Sequence, residues 1–101
     1  IWLMSYSLII RPEAELDIQD AFAWYEMQGS QLGSEFVRAI DVSLSGIGRN
    51  PFASFVRKPI RRSLIRRFPF GIFYVVEQDA IAIIACLHGK RDPTQRLSKW
   101  T

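Results

Sequence analysis

Residues 80–87 read AIAIIACL, eight consecutive apolar side chains in a chain of 101 residues. The run is far short of the ~20 residues a membrane-spanning helix needs. It is rich in isoleucine, and a charge or a turn residue stands at each end. That pattern predicts a strand over 80–88 that is apolar on both faces and therefore central or covered. A chain of this length builds one modest core. Both sides of this strand therefore need cover, in a chain read as one domain spanning 1–101.

The segments around it fit that demand. Residues 60–67 and 70–77 are rich in β-branched and aromatic types, with breaks at "FPFG" and "EQDA", and predict a three-stranded antiparallel meander with 80–88. "YSLII" (6–10) predicts a short strand. Pro12 suits a first helical position, and Glu13, Glu15 and Asp17 suit the positive end of a helix. Ala14, Ile18, Ala21, Phe22 and Tyr25 form one apolar stripe, with Gly29 as the stop. A second stripe runs through Leu32, Phe36, Val37, Ile40, Leu44 and Ile47, and ends at Gly48 and Asn50–Pro51. The short link predicts an antiparallel helical hairpin. Asp92–Pro93 predicts a cap and first turn for a short terminal helix. The fold class is α+β, a helical hairpin packed on an antiparallel β-sheet in the order β-α-α-β-β-β with a short C-terminal helix. The hairpin covers one sheet face; the tail, a second subunit or a partner covers part of the other. Met4 is a candidate initiator, which would leave Ile1–Leu3 upstream of the native start.

Charge is segregated. Residues 1–50 hold three cations and seven acids, and residues 51–101 hold ten cations and three acids. Arg57, Lys58, Arg61, Arg62, Arg66 and Arg67 fall within eleven positions. On an extended chain Arg61 and Arg67 share one side, and Arg62 and Arg66 share the other. Edge protection needs fewer charges than this. The run, joined by Arg91, predicts a surface for nucleic acid or an acidic polypeptide, which arginine's planar fork suits.

Catalytic signals are sparse. His88 is the one histidine, placed where the last strand ends; a structural role and a proton-transfer role are both open. No second His or Cys stands at ligand spacing, so no metal is expected. There is no phosphate-binding loop, dinucleotide fingerprint or nucleophile elbow, and no cofactor is implied. Asp17 and Asp20 read as a solvated helix face. Phe68, Phe70, Phe73 and Tyr74 read as core or as a stacking platform for bases. The lone Cys86, in the apolar run, reads as a buried inert thiol suited to a reducing cytoplasm.

The opening helix "RPEAELDI", the stretch "IRRSLIRRFPFGIFYVVEQDAIAIIACLHGKRDP" and the tryptophan near the C-terminus resemble the RelE/ParE superfamily. The most specific parts are "RRFPFGIFY" (66–74) and "LHGKRDP" (87–93). The resemblance covers nearly the whole chain from about Ser5. It implies a toxin of a bacterial type II toxin–antitoxin system, bound by a cognate antitoxin in a hetero-oligomer. RelE-like members cut messenger RNA on the ribosome, and ParE-like members poison DNA gyrase. A nuclease would draw on His88, Arg67, Arg91 and Tyr74. The ending "RDPTQRLSKW" lacks a strongly basic tail with a tyrosine and is more similar to the ParE-like branch. The expectation is a gyrase inhibitor; the alternatives are an mRNA endoribonuclease and a non-toxic basic binding module.

Overall fold

The computed structural model describes residues 6–53 and 56–100. The reading of Met4 and Ile1–Leu3 falls outside them. β1 (Ser7–Ile10) leads into α1 (Pro12–Gln28) and α2 (Leu32–Arg49). β2 (Arg61–Leu64), β3 (Phe70–Glu77) and β4 (Ala80–His88) follow, and then α3 (Thr94–Leu97) and a final 3-10 turn at Ser98–Trp100. The sheet order is β1-β4-β3-β2. The meander is antiparallel as expected, while β1 lies parallel beside β4, so the whole sheet is mixed. The apolar run thus becomes a central strand with a neighbour on each side.

Two apolar layers enclose β4. The helical hairpin covers one face through Ala14, Tyr25, Phe36, Ile40 and Ile47, packed on Ile72, Tyr74, Ile81 and Ile83. The C-terminal tail covers the back face, where Leu97 and Trp100 meet Val75, Ala82, Ile84 and Leu87. The strand's phase is broken midway. Phe73 pairs with Ala85 but Tyr74 pairs with Ile83, so Ile84 is an extra residue and both Ile84 and Ala85 face the back. A bulge of this kind shifts all later side chains by one face. It brings Cys86 to the helix side, and His88 pairs there with Phe70.

β1 stops at Ile10 because Pro12 turns the chain into α1, but β4 continues. Arg11 N–H makes the last strand-like bond on that edge, to Ile83 O at 2.9 Å. Further along, Cys86 N–H is taken by the Asp17 carboxylate at 3.0 Å, and the same carboxylate holds Arg96 of α3 through both guanidinium nitrogens at 3.0 and 2.8 Å. Asp17 is therefore not the solvated residue that its sequence neighbourhood predicts. Its side chain is 13% exposed and that of Arg96 28%. The pairing raises the Arg96 pKa above its usual value.

The helices meet closely at Gly33. A Cβ there would stand 2.6 Å from Glu26 Cγ and 2.8 Å from Phe22 O. Glu26 Oε1 also accepts the Gly33 N–H at 2.9 Å, which satisfies one of the free donors at the start of α2. The chain enters α2 through Gln31 in the left-handed region, φ 66°.

Two measurements check this packing. Gly33→Ala should lose about 1–3 kcal/mol in urea unfolding through overpacking. Gly46→Ala, in open space on the same helix, should gain about 0.5–1 kcal/mol. Equal effects would contradict the close crossing. Burial, with the Asp17 carboxylate nearby, pushes the Cys86 thiol up to about 12. An unfolded thiol titrates near ~8.5, so this group favours the folded state below that pH. The contribution fades as pH rises towards 12. A thiol reagent at mildly alkaline pH should therefore label unfolded chain quickly and folded chain hardly at all.

Candidate partner-binding groove

The cation run does not form one patch. Arg57 and Lys58 are exposed in the loop before β2. Arg61 faces the helix side and lies over the Phe52 ring, 4.9 Å from its centroid. Arg62, opposite Phe73, faces the back. The strand expected over 60–67 ends at Leu64, because Phe68 must enter the core against Tyr25 and Phe36. Arg66 and Arg67 therefore sit in a turn, with Arg67 at φ 73°, and the side-by-side alternation of all four arginines does not occur.

That turn brings two of them to a groove of about 760 Å³ between α2 and β2. Arg38, Arg66 and Arg67 flank it, and Val42 and Leu64, 63% and 69% exposed, form its apolar part. The Ser43 and Ser63 hydroxyls hydrogen-bond at 2.8 Å and tie helix to strand at its base. Glu35, at the start of α2, is the one carboxylate in the lining and pairs with Arg67 at 3.0 Å. Both partners are substantially exposed, and such pairs contribute about 0–1 kcal/mol. Arg67 can therefore exchange Glu35 for an incoming carboxylate at little cost. The groove suits an acidic polypeptide with apolar side chains better than a bare phosphate chain, because its cations border exposed aliphatic surface.

Arg38, Glu35, Val42 and Gly46 are the contributors that sequence reasoning missed. They recur at three- and four-residue spacing on the face of α2 opposite its buried stripe. An exposed valine among charges on that face was the available signal.

The remaining candidates lie elsewhere. Arg62, Phe73, Leu87 and Arg91 border a smaller cleft of about 310 Å³ on the back face. His88, on the helix side beside Phe70, lines a pocket of about 250 Å³ with Asp17, Asp20, Cys86 and Arg91. His88 Nδ1 accepts the Lys90 N–H at 3.0 Å and His88 O accepts the Arg91 N–H at 2.9 Å, which close the turn into the tail. The neutral ring therefore carries its proton on Nε2. Tyr74 is 1% exposed and its hydroxyl donates to Pro51 O at 2.8 Å. It serves the core and has no opening towards a substrate. Phe68 and Phe73 are core as well, and Phe70 is half-buried between the aromatic cluster and the His88 ring. Asp92 Oδ1 accepts the Thr94 N–H and hydroxyl at 3.0 and 2.8 Å, the expected cap, and these bonds hold its carboxyl below the usual range. Among the described residues no cluster of His, Cys, Asp and Glu could hold a metal ion, and no helix is long and apolar enough to cross a membrane.

The molecule is thus a helical hairpin on a mixed four-stranded sheet, with a cation-flanked groove along the α2–β2 side. A family model described as the ParE toxin of the type II toxin–antitoxin system parDE matches residues 8–93, and the chain belongs to that family. A solved chain from the chromosomal ParDE toxin–antitoxin system of P. aeruginosa superposes with a TM-score of 0.73 at 18% identity. The match covers 82% of this chain and 95% of that one, and shows a shared fold. No curated protein matches the chain.

The turn at His88 can be tested by stability. His88→Ala should lose about 0.5–1.5 kcal/mol with the hydrogen bond. His88→Asn, whose Oδ1 stands near the position of Nδ1, should recover most of it. Equal losses in urea unfolding would mean that the ring, not its acceptor atom, matters.

Proposed function

We propose that this ParE-family toxin inhibits growth by binding DNA gyrase, and that a cognate ParD-type antitoxin neutralises it by laying an acidic, partly apolar segment in the α2–β2 groove. The observation that carries the target is the structural engagement of the proton-transfer candidates. Tyr74 is sealed in the core with its hydroxyl bonded to Pro51, and His88 spends its Nδ1 lone pair on the turn. RNA cleavage needs a proton acceptor, a donor and charge stabilisation at one phosphate. Inhibition by contact needs none of these. The antitoxin reading is supported by the groove's chemistry, three arginines beside exposed Val42 and Leu64. Gyrase and antitoxin would both be met in the cytoplasm.

A supercoiling assay with detection of cleaved complexes, run beside a translation extract that reports messenger cleavage, separates the targets. The expected result is gyrase inhibition without messenger cleavage, retained by His88→Asn. Messenger cleavage that His88→Asn abolishes would transfer the assignment to the ribosome, and no effect in either assay would leave a non-toxic binding module. For the groove, Arg38→Gln, Arg66→Gln and Arg67→Gln together should weaken antitoxin binding at low salt by about tenfold or more. The remaining affinity should depend less on salt. Unchanged affinity in the folded triple variant would place the antitoxin elsewhere.

A further inference from the structure

The sheet ends on two chemically opposite edges. β2 carries Arg61 and Arg62. β1, at the other end of the sheet, carries no charge, and its Leu8, Ile9 and Ile10 are 37%, 49% and 40% exposed. Natural edge strands are blunted by shortness, charge, proline or a bulge. Ser7–Ile10 is short, at four residues, but it carries no charge, proline or bulge, and no described residue pairs with its outer side.

The outward groups can be assigned. Ser7 N–H donates to Asp79 O and Arg11 N–H to Ile83 O, so residues 7, 9 and 11 face β4. Alternation then points the N–H and C=O of Leu8 and Ile10 away from the sheet. We propose that β1 is a self-association edge, on which a second copy of the chain pairs its own β1 antiparallel about a two-fold axis at Ile9. In that register each Leu8 faces the other copy's Ile10, and every outward N–H and C=O of these residues finds a partner. The two Ile9 side chains meet across the axis as a close non-hydrogen-bonded pair on the back face, the face Ile9 shares with Ala82.

The occupant is a second copy for two reasons. Leu8, Ile9 and Ile10 are apolar and the strand carries no charge, so it complements itself in this register. The opposite edge suits self-pairing less well, because two β2 strands would bring four arginines together. A four-residue ribbon falls below the ~1,000 Å² of a stable interface. The dimer is therefore weak and concentration-dependent. This inference is independent of the gyrase and antitoxin readings.

Sedimentation velocity on the purified chain, from low micromolar to several hundred micromolar, should show a monomer passing into a dimer. Ile9→Lys opposes two ammonium groups on the axis and should leave a monomer at every concentration. Leu8→Pro removes an outward donor while sparing those that reach β4, and should do the same, with thermal unfolding confirming the fold. If Leu8→Pro does not fold, Ile9→Lys decides. Ile9→Cys should oxidise to a disulfide-linked dimer many times faster than Leu64→Cys on the opposite edge, because Cys86 is buried in both. A wild type that stays monomeric, a dimer that survives Ile9→Lys, or equal oxidation at the two positions would overturn the proposal.

Discussion

The Asp17 carboxylate joins three stretches of chain that are distant in sequence. It sits in α1, accepts the N–H of Cys86 in β4, and holds both guanidinium arms of Arg96 in α3. Each contact answers a separate need. β1 has turned away into α1 before β4 ends, which leaves the Cys86 N–H without a strand partner in a part-buried place. An unmade bond there would cost about 1–3 kcal/mol. The carboxylate that fills the gap would itself be a part-buried charge without Arg96. The guanidinium in turn anchors the tail, whose Leu97 and Trp100 close the back of the sheet. Breaking such a pair from one side is more damaging than the pair is stabilising, because the remaining charge stays desolvated.

The bulge at Ile84 matters in the same region. A regular β4 would have sent Ala85 and Leu87 to the helix side and Cys86 to the back. With the extra residue, the back face receives Ile84, Ala85 and Leu87 as a floor for the tail, and Cys86 N–H comes within reach of Asp17. His88 follows onto the side of Phe70, and its acceptor nitrogen closes the turn that launches the tail.

The arginines show how one run of charge is divided by the fold. Phe68 is drawn into the aromatic cluster of Tyr25, Phe36 and Phe70. That pull ends β2 early and throws Arg66 and Arg67 into a turn over α2, where Arg38 joins them. Arg62, on the other face of β2, goes to the back cleft with Arg91. The run is thus split between a groove on the helix side and a cleft on the back of the sheet.

The sequence by itself determined the element order, the helical hairpin, the meander and a strand at residues 80–88 that is central or covered, because each is written in local periodicity, turn residues and caps. Pro12, Gly29, "FPFG", "EQDA" and Asp92 all act within a few residues of their own position. It also determined that Cys86 would be buried, since no polar neighbour lies within the apolar run. Only the tertiary structure decided the parallel docking of β1, the bulge, the roles of Asp17 and Tyr74, and the groove. A uniformly apolar strand contains no signal of phase, so a bulge within it leaves the pattern unchanged. Asp17 reads as a surface acid because its partners are 69 and 79 residues away. Tyr74 looks reactive until Pro51 O is brought to its hydroxyl across 23 residues. The groove pairs a helix face with a turn whose shape is set by a buried phenylalanine. Such contacts depend on distances in space, which the order of residues along a chain does not record.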